Sequence, residues 1–475
     1  MRPSTDPVTS TPPNIISRAL DGLQYIYERY STVLNMEEIS AYIVTFNCGR
    51  EFIDVDAFAS QFFDGLSHPT LPDLVVLALQ EIAPVGPSLI GGSFLVPYFT
   101  KFHTAVQKAA RKLISEYDDI PMYTAIAAKN TGMTGIMVFA RDADMIQDLE
   151  TGGVGFGVSE MGDKSAVGTR FTFGIDDAST GLTFVAAHLA AGEGALERRN
   201  RDWGDLVRGL VFSSAAQGGN STSLSGPREE DPLLSIHRND GSIYKPTYHL
   251  FIAGDLNYRT SSISPAPDDH INLFPQPHHD KTSLQHYKCL FENDQLNQER
   301  AAGRTLHGLV EAPITFPPTY KYEVVEPFLT PDEEISKWQW ATHRWPSWCD
   351  RILYLDLPDW MRRQYPKVQI TTQKYTALPL QPTTDHRAVT LEVKIPLIPI
   401  PQPDENEEEE SRDVRLEPPY DTDINWKTRR DRARRLELIS GFVTYFTTTA
   451  EGAAVLFALI GGAIGAVFAF RAILL

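Results

Sequence analysis

Tyr248-His249-Leu250-Phe251-Ile252-Ala253-Gly254-Asp255-Leu256-Asn257-Tyr258-Arg259 decides the reading of this chain. Its first half is a short apolar run with the length of a buried strand, and its second half opens into polar residues at Asp255 and Asn257. The same grammar recurs along the sequence. Tyr42 to Phe46 ends at Asn47, Leu74 to Leu79 ends at Gln80-Glu81, and Leu182 to Ala187 ends at His188. In mirror order, Asp350 stands just before Ile352-Leu353-Tyr354-Leu355, and Asp385-His386 just before Ala388 to Val393. Polar groups at the ends of buried strands are how an α/β scaffold presents a site on rigid elements. The spacing therefore predicts one site built from Asn47, Glu81, His188, Asp255, Asn257, Asp350, Asp385 and His386.

That set is rich in carboxylate and amide oxygens and poor in sulfur. It suits a hard cation such as Mg²⁺, which keeps waters and shares its shell with a phosphate. A carboxylate such as Asp255 can orient or deprotonate water, and a histidine held by a second carboxylate completes a hydrolytic arrangement. Any single Asn or Asp at a strand end could equally be a turn or a helix cap.

Composition narrows the class. With 475 residues and 42% hydrophobic content, the chain can bury a full core. Three cysteines, Cys48, Cys289 and Cys349, give neither a disulfide framework nor paired metal spacing. A formal charge of −18 argues against a general nucleic-acid binder. Much of that acidity lies in Asp404 to Glu410, which reads as a solvated run.

Beyond the strand ends, Arg344 to Leu353 (RWPSWCDRIL), Phe316 to Tyr322 (FPPTYKY), Lys164 to Val167 and His188 to Ala191 with Glu197 to Asn200 form further blocks. In these blocks, and in Phe251 to Arg259, the chain resembles the inositol polyphosphate 5-phosphatases of the DNase-I-like endonuclease/exonuclease/phosphatase superfamily. The resemblance runs from about Ala41 to Ile395. It implies an α/β fold, a DNase-I-like sandwich of two packed mixed β-sheets flanked by helices.

The resemblance also implies roles. Glu81 would be the principal Mg²⁺ ligand, with Asn47 helping and Asp385 near the metal. Asp255 would activate water, Asn257 would bind the scissile phosphate, and His386, oriented by Asp350, would face phosphorus. His188 would donate to a phosphoryl oxygen. Tyr320, Lys321 and Arg351, supported by Arg344, would grip the 4-phosphate, and Lys164 would serve the 1-phosphate side. Ile252 and Phe46 replace aromatic residues common in the family, so repacking without loss of chemistry is expected.

Gly452 to Phe470 is an uncharged apolar stretch, long enough as a helix to span a hydrocarbon core of ~30 Å. The basic stretch Lys427 to Glu437 precedes it and favours a cytosolic orientation for everything upstream. The expected organisation is an N-terminal segment over 1–39, with an amphipathic helix over 15–38. A catalytic domain over 40–396 and an extended, acidic then basic linker over 397–440 follow, and a tail anchor over 441–475 closes the chain. This is similar to fungal tail-anchored 5-phosphatases of the endoplasmic reticulum. The substrate expected is phosphatidylinositol 4,5-bisphosphate in the cytosolic leaflet. Inositol 1,4,5-trisphosphate, phosphatidylinositol 3,4,5-trisphosphate and a catalytically weak membrane tether are the alternatives, and the sequence names no protein partner. Two other readings are structural: Asn220-Ser221-Thr222 as an unused sequon in a flexible insertion over 213–230, and His278-His279-Asp280 with His286 as a surface loop.

Overall fold

The structure, a computed structural model, describes residues 37–114, 122–214, 241–283, 285–324, 337–404 and 412–474. Most of the segment expected as an N-terminal helix, the Asn220 sequon and most of the acidic run lie outside these residues. Glu38, placed at the end of that helix, instead opens a strand.

The first sheet contains β1 (Glu38–Asn47), β2 (Leu74–Gln80), β3 (Thr124–Thr131), β4 (Thr134–Ala140), β12 (Thr371–Ala377) and β13 (Val389–Pro396), in the order β12-β13-β1-β2-β4-β3. The second contains β5 (Ile146–Gly155), β6 (Ser165–Ile175), β7 (Ala178–His188), β8 (Ser213–Ser214), β9 (Tyr248–Asp255), β10 (Leu309–Val310) and β11 (Asp350–Leu355), in the order β10-β11-β9-β7-β6-β5-β8. Both sheets are mixed: β1 runs parallel to β2 and β7 parallel to β9, while the other pairs are antiparallel.

Side-chain alternation explains the packing. Along β1, Ile39, Ala41 and Ile43 enter the core between the sheets, together with Phe184, Phe251 and Ile352. The intervening Tyr42, Val44 and Phe46 face a second core, closed by α1 (Val55–Gln61) and α3 (Val96–Ile114) through Phe58, Phe102 and Val106. On the far side, Val185, Leu250 and Ile252 pack with Trp203, Leu206 and Val207 of α4 (Leu196–Gly209). Strands covered on both faces need apolar residues at both parities, so the sequence shows unbroken runs. Phe184 and Phe251 stack across neighbouring strands with centroids 5.4 Å apart, and cutting either to Ala would cost about 3–5 kcal/mol. Phe46 and Ile252 are fully covered, which fits repacking at these two positions.

Register then carries the polar residues to one edge of the sandwich. In the parallel pairs Asn47 lies opposite Gln80, and His188 opposite Asp255. Antiparallel β11 starts where β9 ends, so Asp350 sits opposite Asp255. Ser165, which follows Lys164, pairs with His188, and Val389, just after His386, pairs with Thr45.

The C-terminal part corrects one expectation. The described linker residues from 412 to 440 are not extended; they pack on the sandwich. Arg415 is buried, donating to Asp413 Oδ2 at 2.9 Å and to the Asp356 carbonyl. Arg208 lies over the Tyr420 ring, 4.1 Å from its centroid. Trp426–Thr448 forms one helix, α6, that crosses the expected boundary between linker and anchor and lies against α2 (Val85–Ile90). The physical reason is charge matching: Arg429, Arg430 and Arg434 meet Glu160, Asp423 and Glu437, so half of the six basic residues in the run are engaged in protein contacts. The final helix, α7 (Ala450–Leu474), includes 22 residues, Ala450–Arg471, long and apolar enough to cross a membrane, and its most apolar stretch is not covered by protein.

Candidate active site

Asp255 is the centre of the cluster at the sandwich edge. Asn47 Nδ2 donates to its Oδ2 at 3.0 Å, while His188 Nε2 and His386 Nε2 lie 3.3 Å and 3.9 Å from the same oxygen. The Asn257 backbone N–H donates to Oδ1 at 3.1 Å. Burial alone would push this carboxyl up. The hydrogen bond and charge of His188, with His386 and Lys164, reverse that and hold it well below the ordinary carboxylate range. Asp255 is therefore ionised at neutral pH.

His386 stands on Asp350. Its Nδ1–H donates to Asp350 Oδ2 at 2.9 Å, and Thr319 Oγ1 donates to that oxygen at 2.7 Å. Burial favours a neutral imidazole, but the charge and hydrogen bond of Asp350, joined by Asp255 and Asp385, push His386 up to about 9. Asp350 itself is raised, chiefly by burial. Near neutral pH the proton of this pair resides on the ring. The Tyr320 ring packs on His386 with centroids 4.6 Å apart, and the Arg259 guanidinium covers Tyr320 at 4.3 Å.

Glu81 enters from the β2 end with a positive φ of 48°, and Asn257 and Arg50 share that left-handed conformation. Backbone held in this region by its surroundings is a common property of functional sites. Both Glu81 oxygens face cations, Arg50 Nε at 2.7 Å and Lys164 Nζ at 3.9 Å. Burial raises the Glu81 carboxyl, but His188, Arg50 and Lys164 outweigh it and keep the group ionised. Lys164 also contacts His188 Nε2, which lies between the ammonium and Asp255. That nitrogen can accept from Lys164 or donate to Asp255, but not both at once.

Asn257 donates to the Leu189 carbonyl at 3.0 Å and receives a bond from Arg259. Lys321 pairs with Asp385, whose other oxygen lies 3.8 Å from His386 Nε2. Arg344 is partly exposed, 3.7 Å from Glu193. Arg351 departs from the sequence expectation. Its side chain is 0% exposed, and its guanidinium is bound by Asp294 at 3.0 Å and by Glu311 at 2.7 Å. Alternation along β11 sends Asp350 to the site and Arg351 into a buried ion cluster, so Arg351 is not available to grip a phosphate.

A hard divalent cation fits this donor set: both Glu81 oxygens already face cations, and Asn47 Oδ1, which accepts from the Gly49 N–H, keeps a second lone pair. Ligand atoms of Asp255, Asp350 and His386 also lie within 4.8 Å of one another. A protonated His386 has no lone pair to give, so that trio is the weaker metal site.

Residues 44–392 match the Endonuclease/Exonuclease/phosphatase family 2 model. The chain belongs to this family. Among similar proteins, a Schizosaccharomyces pombe inositol-1,4,5-trisphosphate 5-phosphatase 1 is 28% identical over 67% of this chain and 24% of its own length. A Xenopus laevis phosphatidylinositol 3,4,5-trisphosphate 5-phosphatase 1 is 29% identical over 56% of this chain and 22% of its own length. An Arabidopsis thaliana type II inositol polyphosphate 5-phosphatase 14 is 33% identical over 44% and 17%. The aligned residues thus span less than a quarter of the length of these curated relatives. The family fold is shared with the inositol polyphosphate 5-phosphatase domain of SPsynaptojanin, solved with inositol (1,4)-bisphosphate and calcium ion. The two have a TM-score of 0.53 and 20% identity, covering 89% of this chain and 99% of that one.

Three contributors had no role assigned from sequence: Thr319, which holds Asp350; Arg259, which covers Tyr320; and Arg50, which faces Glu81. Thr319 and Arg259 sit inside the family blocks, a signal that could have found them. Arg50 follows a left-handed Gly49 and carries no pattern of its own.

Proposed function

We propose that the protein removes the 5-phosphate of phosphatidylinositol 4,5-bisphosphate by attack of an activated water, giving phosphatidylinositol 4-phosphate. The observation that carries this reading is the geometry of one buried cluster, in which Asp255 Oδ2 faces His386 Nε2 at 3.9 Å while Asp350 holds the other ring nitrogen. An ionised Asp255, held by Asn47 and the Asn257 N–H, can orient water and take its proton. A protonated His386, held by Asp350 and Thr319, offers Nε2–H to a phosphoryl oxygen as charge builds there. Asn257 and His188 add donors around the phosphate. Lys164, expected on the 1-phosphate side but lying against His188 and Glu81, adds a cation there instead, and Tyr320, Lys321 and Arg344 would hold the neighbouring 4-phosphate. Glu81 and Asn47, with Asp385 nearby, would hold Mg²⁺, which would neutralise phosphate charge and polarise the P–O bond.

The names of the relatives support inositol phosphates as the substrate class. The apolar helix α7 favours the lipid form, because tethering raises the effective concentration of headgroups. The reading places α7 in the endoplasmic reticulum membrane as a tail anchor, with the catalytic domain in the cytosol. The test is phosphate release by the full-length protein from phosphatidylinositol 4,5-bisphosphate vesicles. Inositol 1,4,5-trisphosphate and phosphatidylinositol 4-phosphate serve as comparators, each with Mg²⁺ or EDTA. Mg²⁺-dependent release from the bisphosphate lipid, but not from the 4-phosphate lipid, is expected. Release from the soluble compound alone would keep the chemistry and overturn the lipid assignment.

A further inference from the structure

Helix α6 lies outside the residues that match the family, yet it grips a loop that reaches the candidate site. Glu437 is the centre of the grip. Its carboxylate is 0% exposed and accepts from the Gly162 backbone N–H at 3.0 Å. Arg430 neutralises it at 2.7 Å and Arg434 at 3.2 Å. Arg434 also donates to the Leu89 and Ile90 carbonyls at 2.6 Å each, at the end of α2. A buried carboxylate with a backbone N–H and two guanidinium groups is held by direction and charge together.

Further contacts extend the grip along the same loop. Arg429 Nε donates to Glu160 at 2.9 Å, and Ser440 Oγ meets Met161 Sδ at 3.7 Å. Close approach is built into the α2 crossing: a Cβ on Gly441 would come within 3.0 Å of the Ile90 backbone nitrogen, and one on Gly86 within 2.9 Å of that of Tyr445.

The loop needs such support. Ser159 and Glu160 are both left-handed, with φ of 56° and 65°, which costs free energy in non-glycine residues. The loop is closed by Phe156 N–H to the Lys164 carbonyl at 2.7 Å and Gly157 N–H to the Met161 carbonyl at 2.9 Å. Two residues beyond the Glu437 contact, Lys164 points inward to Glu81 and His188.

We propose that Glu437 is a positioning residue: through Gly162 it fixes the Gly157–Lys164 loop, and so sets where Lys164 meets the substrate phosphate. The helix leading to the apolar C-terminal segment is thereby part of the substrate site, even for a substrate free in solution. The inference rests on the phosphatase reading above.

The experiment uses the full-length protein in detergent micelles with soluble inositol 1,4,5-trisphosphate and Mg²⁺, so no membrane surface enters. Glu437→Ala, Lys164→Met, the double variant and Asp431→Ala, an exposed acid on the same helix, are compared with wild type. Glu437→Ala is expected to raise KM about five- to tenfold with kcat within about twofold, corresponding to about 1–1.4 kcal/mol. The double variant should match Lys164→Met, because both changes act on one contact. Asp431→Ala should match wild type. An unchanged KM in Glu437→Ala, or a double variant whose effects multiply, overturns the proposal. Inactivity of the wild type overturns the phosphatase reading instead. Glu437→Leu, which fills the same space but offers no acceptor to Gly162, decides the matter if the alanine variant does not fold: a raised KM supports the positioning role and an unchanged one refutes it.

Discussion

His249 makes the stability of this fold depend on pH in a way that can be calculated. It lies in β9, 0% exposed, and neither ring nitrogen has a hydrogen-bond partner. Burial, with a smaller contribution from the Arg415 charge, lowers its pKa to about 3, against about 6.5 in an unfolded chain. As pH falls, the unfolded state binds the proton first. Stability is therefore full above about pH 6.5 and is lost as pH drops toward 3. Linkage gives a loss of about 2 kcal/mol between pH 7.5 and pH 5, rising to about 4 kcal/mol at pH 3. His249→Leu removes this contribution and leaves the other titrating groups in place. Urea unfolding followed by tryptophan fluorescence, in detergent at pH 7.5, 6 and 5, gives the stability of both proteins. The wild type should lose about 2 kcal/mol more than the variant over this range. Parallel pH profiles within about 0.5 kcal/mol would refute a buried, neutral His249.

Other consequences follow from the site and its supports. Asp255→Asn should lower kcat by about 100- to 10,000-fold with little change in thermal stability, measured by phosphate release beside a melting curve. Thr319→Val removes the hydroxyl that donates to the Asp350 carboxylate and accepts from its backbone N–H, and a loss of about 1 kcal/mol in holding His386 should lower kcat roughly fivefold. Arg351→Met leaves Asp294 buried without its cation and Glu311 with Arg300 alone, 3.7 Å away. It should cost about 3–5 kcal/mol in urea unfolding while the folded fraction keeps its KM, whereas a changed KM at unchanged stability would restore Arg351 to the substrate site. EDTA should abolish turnover, and Mg²⁺ titration should restore it, followed by phosphate release.

The strands that carry the site were legible because they are buried on both faces. Tyr42 to Phe46, Leu74 to Leu79, Leu182 to Ala187 and Tyr248 to Ala253 each became a strand ending where its apolar run gives way to polar residues. Arg351 was misread because the acids that claim it, Asp294 and Glu311, come 57 and 40 residues earlier in the chain, and no local pattern announces them. The docking of α6 was hidden for a related reason. Its basic run reads as a juxtamembrane stretch until the fold brings Glu160 beside Arg429 and the Gly162 N–H beside Glu437. Local sequence reports which side chains are apolar; it does not report which distant charge will be neutralised.

The pairing of β1 with β13 also has a kinetic side. Ile39 lies opposite Ile395, so the first described strand waits for the last strand of the sandwich. At about 5–20 residues per second, a ribosome needs roughly 20–70 s to deliver that partner. Until then the β1 edge is an open ladder of backbone donors and acceptors, a template for mispairing. Loop closure over so long a separation also makes this contact a slow, late event in folding. Nascent chains that stop short of β13 should accordingly depend on chaperones and aggregate when released, whereas chains that include it should close the sheet.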